Sequence, residues 1–264
     1  MAVSSGYGSA FARLSASDVI NLAVEVPDTP MHMGALVVLD GAVLCDAQGR
    51  LCVAQLRAQV SRRLAAVPRL RQVVHPAGLL AGRPVWTDDP AFRIERHVEV
   101  VRMPAGQEGG QSPDAGESLL RLAARLLETP LDRAHPLWRM WFVSGLPQGR
   151  VGLVVAIHHV LADGLATVRM LVTLLGEASA LPPDAPPPGP APTGPALVLD
   201  NIRCRATDLG ARRGRPPRSR VRARGLLRGL AEAWHAPRTS LNAVVGPHRR
   251  LAVLRLDLAE AKRV

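Results

Sequence analysis

The run from Val151 to Ile157, VGLVVAI, is uninterrupted apolar sequence and reads as a buried strand. A second apolar run, Trp138 to Leu146, precedes it, and the turn-forming Pro147-Gln148-Gly149-Arg150 separates the two. They are expected to be neighbouring strands. Beyond His158 the period changes, and Leu165, Val168, Leu171, Val172 and Leu175 recur at helical spacing along one side. A strand that passes through a short loop into a helix points to an α/β fold.

The same reading extends along the chain. Met31 to Leu39, MHMGALVVL, predicts a buried strand between Thr29-Pro30 and Asp40-Gly41. Val53, Leu56, Val60, Leu64 and Val67 predict an amphipathic helix that Pro68 stops. Phe92 to Val101 reads as a strand, Pro104 to Gly116 as a surface loop, and Leu119, Leu122, Ala123 and Leu126 as one face of a second helix. Pro182 to Pro195 lacks the donors of a helix or central strand and is expected to be an extended spacer. Within the Arg-rich stretch that follows, Leu226, Leu227, Leu230 and Trp234 predict a basic amphipathic helix over Arg222 to Trp234. Arg250 to Leu258 alternates like a strand, and Ala259 to Lys262 begins a helix that the last residue cuts off, as in a truncated product or fragment. The expected division is 1–181 as one domain, 182–238 as a crossover or linker, and 239–264 as the first strand and helix start of a further half.

Charge mapping narrows the class of partner. Thirteen of the 33 basic residues but two of the 22 acidic ones lie between Arg203 and Arg250, so the formal +11 sits there and the remainder balances at 20 of each. A basic, partly amphipathic segment suits an anionic membrane surface or a solvated linker. Nucleic acid is not an expected partner, because aromatic residues are not interleaved with the arginines and no binding motif is present. Cys45, Cys52 and Cys204 form no CxxC pair and an odd count builds no disulfide framework, so they are expected to be free thiols in a reducing compartment. The start has no charged segment followed by a long apolar core, and no run reaches bilayer-spanning length. The expected location is cytoplasmic, with peripheral contact at the inner membrane face or lipid inclusions.

The chemistry concentrates in Val154 to Ala166, VVAIHHVLADGLA. Adjacent residues of an extended chain point to opposite sides, so His158 and His159 cannot both face one substrate. One is expected to be catalytic and the other structural. A neutral imidazole removes a proton from an alcohol near neutral pH when its other nitrogen is held by a hydrogen bond. Asp163 can cap backbone N–H groups or pair with an Arg, and Gly164 allows a tight turn. A metal site is the weaker reading, since His158, His159 and Asp163 lack a third well-spaced ligand.

His158-His159-Val160-Leu161-Ala162-Asp163-Gly164 matches the HHxxxDG motif of the CoA-dependent acyltransferase superfamily. Pro130-Leu131-Asp132-Arg133 with Pro136-Leu137-Trp138 resembles the PLDRxxPLW element of the bacterial wax ester synthase/diacylglycerol acyltransferase family. Supporting matches are Thr29-Pro30-Met31-His32-Met33-Gly34, and Asn242 with Gly246-Pro247-His248-Arg249-Arg250. The opening differs, since Asp18-Val19-Ile20-Asn21-Leu22 lacks the family's aromatic-leucine pair. The resemblance covers residues 11–264 and the first of the family's two similar halves. It implies a chloramphenicol-acetyltransferase-like half-domain with a mixed sheet and packed helices. In relatives the reaction centre lies in a tunnel between the halves.

The resemblance further implies transfer of a fatty acyl group from acyl-CoA to diacylglycerol or a long-chain alcohol, with no cofactor and no metal. His159 would be the general base, His158 its support and Asp163 a structural residue of the loop, with Gly164 at the turn. Pro136, Leu137 and Trp138 would lie near bound substrate or shape the site from behind. Beside this stand blander readings: Pro136-Leu137-Trp138 as core at a strand entrance, Asp132-Arg133 as a solvated turn, and His32, His75, His97, His135, His235 and His248 as structural or surface residues. Rival functions are a non-catalytic remnant that binds a lipid surface or partner chain, a half completed by self-association or a second chain, and a condensation domain served by a carrier protein.

Overall fold

In the computed structural model, residues 10–46, 48–78, 80–103, 115–162, 164–176, 189–211, 246, 248–253 and 257 are described. In chain order the elements are α1 Ala16–Val24, β1 His32–Asp40, α2 Val53–Arg63, β2 Gln72–His75, β3 Val85–Asp88, β4 Val98–Arg102, α3 Ala115–Leu126, β5 Trp138–Ser144, β6 Arg150–His158, α4 Gly164–Leu175 and α5 Gly194–Ala211. The sheet runs β1-β6-β5-β4, and β2 pairs with β3 in a separate two-stranded ribbon. Only β4 and β5 are parallel within the larger sheet; the other two pairings are antiparallel. It is therefore a mixed sheet, with α3 on the connection between its two parallel strands.

β6 shows why the apolar run mattered. Every residue from Val151 to His158 is buried, as expected of a central strand covered on both faces. Trp138, Met140 and Phe142 of β5 and Leu119, Leu122 and Ala123 of α3 join the same core. Each large side chain removed from water there contributes about 1.5–3 kcal/mol. Gly34 of β1 serves close packing: a Cβ at that position would stand 2.5 Å from Leu127 Cδ1. Its absence lets the chain at the end of α3 sit directly over the start of β1.

Several expectations change. The Met31–Leu39 strand is not fully buried, because β1 is a sheet edge and Val37 and Val38 are exposed. Phe92 to Val101 is not one strand; a 3-10 turn at Ile94–Arg96 interrupts it and the strand begins at Val98. The Pro182–Pro195 spacer ends sooner than its composition implies, since α5 starts at Gly194 with Pro195 in its first turn, where a missing N–H removes no helical bond. Nor is α5 a free linker. Leu197 packs with Ala77, Ala81 and Val85, and Asp200 meets Arg13 at 2.6 Å. In α4 the buried residues are Thr167 and Leu174, whereas Leu165, Val168 and Val172 of the expected inner face are exposed. The predicted helix at 222–234, residues 254–256 and 258 of the predicted strand at 250–258, and the helix start at 259–262 lie outside the described residues; residues 250–253 and 257 pair with no strand among the described residues.

His97 illustrates how the core tunes a side chain. Its ring stacks between Phe92 and Trp138, with centroids 5.1 and 4.6 Å away, and Nδ1 donates to the Trp138 carbonyl at 2.8 Å. Burial depresses its pKa to about 4, against a smaller opposing pull from that carbonyl. In the unfolded chain the group titrates near 6.5. Because the folded value is the lower one, the stability linked to neutral His97 is complete above pH ~6.5 and is lost as pH falls towards 4. The loss amounts to about 3 kcal/mol over that window. We expect the urea midpoint to fall between pH 7 and pH 4.5, and to fall less in a His97→Phe variant.

Candidate active site

The two histidines at the end of β6 occupy opposite environments. His158 is fully buried, whereas His159 is exposed. β6 is covered on both faces and ends at His158, so that ring lies in the core, whereas His159 opens the turn beyond the strand and emerges from the sheet. His159 is held by its backbone, whose N–H donates to the Met31 carbonyl at 2.9 Å. The side chain is thereby presented to solvent from an anchored main chain.

His158 has a defined tautomer. Its Nδ1 accepts the Val160 N–H at 3.0 Å, so the neutral ring carries its proton on Nε2. Burial depresses its pKa, against an opposing pull from Glu25, and keeps the ring neutral at neutral pH. Nε2 lies 3.4 Å from Glu25 Oε1, within ionic reach but outside good hydrogen-bond geometry.

Glu25 links the site to the element around Asp132 and Arg133. It is the C-cap residue of α1, a helix that starts with a capping box between Ser15 and Asp18. Its Oε1 accepts the Met31 N–H at 2.9 Å, and its Oε2 accepts Arg133 at 2.7 Å. Burial pushes the carboxyl upward, but the Met31 N–H and Arg133 outweigh it and hold the pKa below the usual range. Arg133 also donates to the Leu22 carbonyl at 2.6 Å. Arg133 is an exposed turn residue, and its guanidinium also locks the carboxylate that faces His158. Met31 carries both effects, since its N–H meets Glu25 and its carbonyl holds His159. Sequence reading missed Glu25, and only the Ser15-to-Asp18 capping signature hinted at a helix leading to it.

We expect Glu25→Ala to lower stability by about 1–3 kcal/mol, the usual penalty for leaving buried polar partners unmet. The urea midpoint measures it. A drop under half of that lower bound would mean that Arg133, half-exposed, draws its partners from water instead.

The other candidates fall less close. Asp163 lies outside the described residues. Gly164 opens α4 without a left-handed φ, and a Cβ there would meet nothing within 4 Å, so no tight turn demands glycine. Pro136, Leu137 and Trp138 are buried, and Trp138 Nε1 donates to the Leu70 carbonyl at 2.7 Å. They pack at the entrance to β5. A cleft of about 530 Å³ opens beside them, lined by residues that include Arg96, His97, Asp132, His135 and Arg139, yet neither His158 nor His159 lines it. The base chemistry and this cleft do not coincide within the described residues.

The description of the wax ester synthase/diacylglycerol acyltransferase catalytic domain matches residues 14–264. The chain belongs to the wax ester synthase/diacylglycerol acyltransferase family. A Mycobacterium tuberculosis (strain CDC 1551 / Oshkosh) protein named as a diacylglycerol O-acyltransferase is 30% identical over 97% of this chain and 50% of its own length. The chain thus spans about half the length of such relatives. Another member from that strain, named as the diacylglycerol O-acyltransferase tgs3, is 31% identical over 96% of this chain and 94% of its own length. Among solved structures, the wax ester synthase/diacylglycerol acyltransferase of Marinobacter aquaeolei VT8 superposes with a TM-score of 0.57 at 22% identity, over 90% of this chain and 51% of that one. That likeness establishes the fold, and the family match establishes acyltransferase ancestry.

Proposed function

We propose that this chain moves a fatty acyl group from acyl-CoA to the hydroxyl of diacylglycerol or a long-chain alcohol, with His159 as general base. The observation that carries the reading is an exposed imidazole on a main chain pinned to Met31, next to a buried, neutral His158. His159 takes the hydroxyl proton as the oxygen attacks the thioester carbonyl carbon. The tetrahedral oxyanion collapses with cleavage of the C–S bond, and the leaving sulfur receives the proton from the imidazolium. The oxyanion and imidazolium formed on the way are both discharged, so protons and charge balance over the step without a cofactor.

His158, Glu25 and Arg133 then serve as positioning residues, and Asp163 holds the loop as the motif implies. The same reading takes residues 1–181 as the half that carries the histidines and 182–238 as a crossover. In this reading residues 239–264 begin a second half. The Arg-rich stretch from Arg203 to Arg250 gives peripheral contact with anionic lipid surfaces.

No helix among the described residues is long and apolar enough to cross a membrane. The test is thiol release from a long-chain acyl-CoA with diacylglycerol or hexadecanol as acceptor. Acceptor-dependent release with ester product supports the reading. Release without an acceptor identifies a thioesterase instead, and none at all from folded protein, with or without a complementing half, rejects catalysis.

A further inference from the structure

Two buried imidazole nitrogens beside Glu25 have no hydrogen-bond partner among the described residues: His158 Nε2 and His32 Nδ1. The residues are direct cross-strand partners, His32 on β1 opposite His158 on β6, so their side chains share one face of the sheet. Glu25 acts electrostatically on both rings, and its Oε1 is fixed to the N–H of Met31, the residue before His32.

The proton positions follow from the fixed contacts. His32 Nε2 stands 2.8 Å from the Leu127 carbonyl, which can only accept, so Nε2 carries the proton and Nδ1 is a bare acceptor. His158 is the reverse case, with a donor at Nε2. The cluster therefore offers one donor, His158 Nε2–H, and two acceptors, His32 Nδ1 and the Glu25 carboxylate. Buried groups of this kind are costly to leave unmet.

We propose that one buried water occupies this cluster, accepting from His158 Nε2–H and donating to His32 Nδ1 and Glu25, and that His32 thereby positions the histidine pair. Water is the small molecule whose single acceptor face and two protons match that set, and buried waters with about three partners are ordinary components of folded proteins. A metal ion fits less well. It would need bonds near 2.1 Å, and among the described residues no three His, Cys, Asp or Glu side chains converge to hold one. Water, bonding near 2.8 Å, spans wider gaps.

Two substitutions separate the water from the direct bond. In His32→Gln the side-chain amide reaches the ε position, so the donor to Leu127 is kept and the δ acceptor is lost. His32→Asn does the opposite, placing an oxygen near the δ position and losing the Leu127 bond. Nitrogen-15 spectra of labelled full-length protein report both tautomers, and cross-relaxation between the His158 ring N–H and solvent reports a long-lived water. We expect that signal in the wild type and His32→Asn and its loss in His32→Gln. A His158 N–H bonded straight to Glu25, or a water signal that survives in His32→Gln, overturns the site.

The positioning role rests on the His159 reading and has its own readout. In the thiol-release assay kcat of His32→Gln should fall roughly 10- to 100-fold with KM little changed, since small misplacements of a catalytic group have effects of that size. His32→Asn should stay within a few-fold of wild type. Equal losses in both variants reduce His32 to a structural residue. If the wild type shows no turnover, the spectra still decide the water site.

Discussion

Replacing His159 by Ala is expected to slow acceptor-dependent thiol release by about 10²–10⁴-fold, the range that a positioned general base contributes. KM for acyl-CoA should change little and the urea midpoint should hardly move, because the side chain is exposed. His158→Ala should behave differently. That ring is fully buried and accepts the Val160 N–H, so its removal leaves a cavity and an unmet donor, and both stability and turnover fall. The contrast is the diagnostic part. If the His159 variant keeps its rate, or if the two variants lose rate and stability together, the exposed imidazole is not the base and the acyltransfer mechanism must use another group.

Much of this division of labour was legible in the sequence, for a physical reason. Adjacent residues of an extended chain point to opposite sides, so the two histidines could not share one environment; β6 is covered on both faces, and His159 is the exposed one because it stands past the strand end. The runs that became β5 and β6 were legible as continuous apolar sequence because strands inside the sheet are buried on both faces, and the stripes of α2 and α3 because each helix buries the side its period dictates. What failed depended on neighbours. In α4, five apolar residues cover more of the helix circumference than the domain buries. Packing selected the side with Thr167 and Leu174 and left Leu165, Val168 and Val172 outside. Glu25 could not be found from its surroundings in sequence, since it acts on residues 108 and 133 positions away, Arg133 and His158. In α5 the proline run masked a helix, because composition was averaged over a window that ends where the helix starts.

α5 also carries the second large expectation: Asp200→Ala should destabilise its docking by about 3–5 kcal/mol, the range for removing one partner of a buried ion pair. The Arg13 side chain is 10% exposed and that of Asp200 5%. Arg13 donates to the Asp200 carboxylate through Nε and Nη2, and its remaining donors meet the carbonyls of Ala81, Arg83 and Leu197. The other carboxylate oxygen accepts the Ala10 N–H at 2.7 Å. Without Asp200 a guanidinium stays buried against three carbonyls with no counter-charge, and a backbone donor loses its acceptor.

The apolar contact that would have to hold α5 in place is small, centred on Leu197 against Ala77, Ala81 and Val85. Its separation from the main core makes undocking of α5 a cheaper event than global unfolding. The measured loss at the urea midpoint should therefore fall short of the local one, capped by the free energy at which α5 comes away. Amide exchange along Leu197 to Cys204 should show the full effect, while β5 and β6 keep their protection. A uniform loss across both regions would mean that α5 is an integral part of the cooperative domain. An Arg13→Ala, Asp200→Ala double variant closer to wild type than Asp200→Ala alone would show that the stranded charge, rather than the lost contact, dominates the effect.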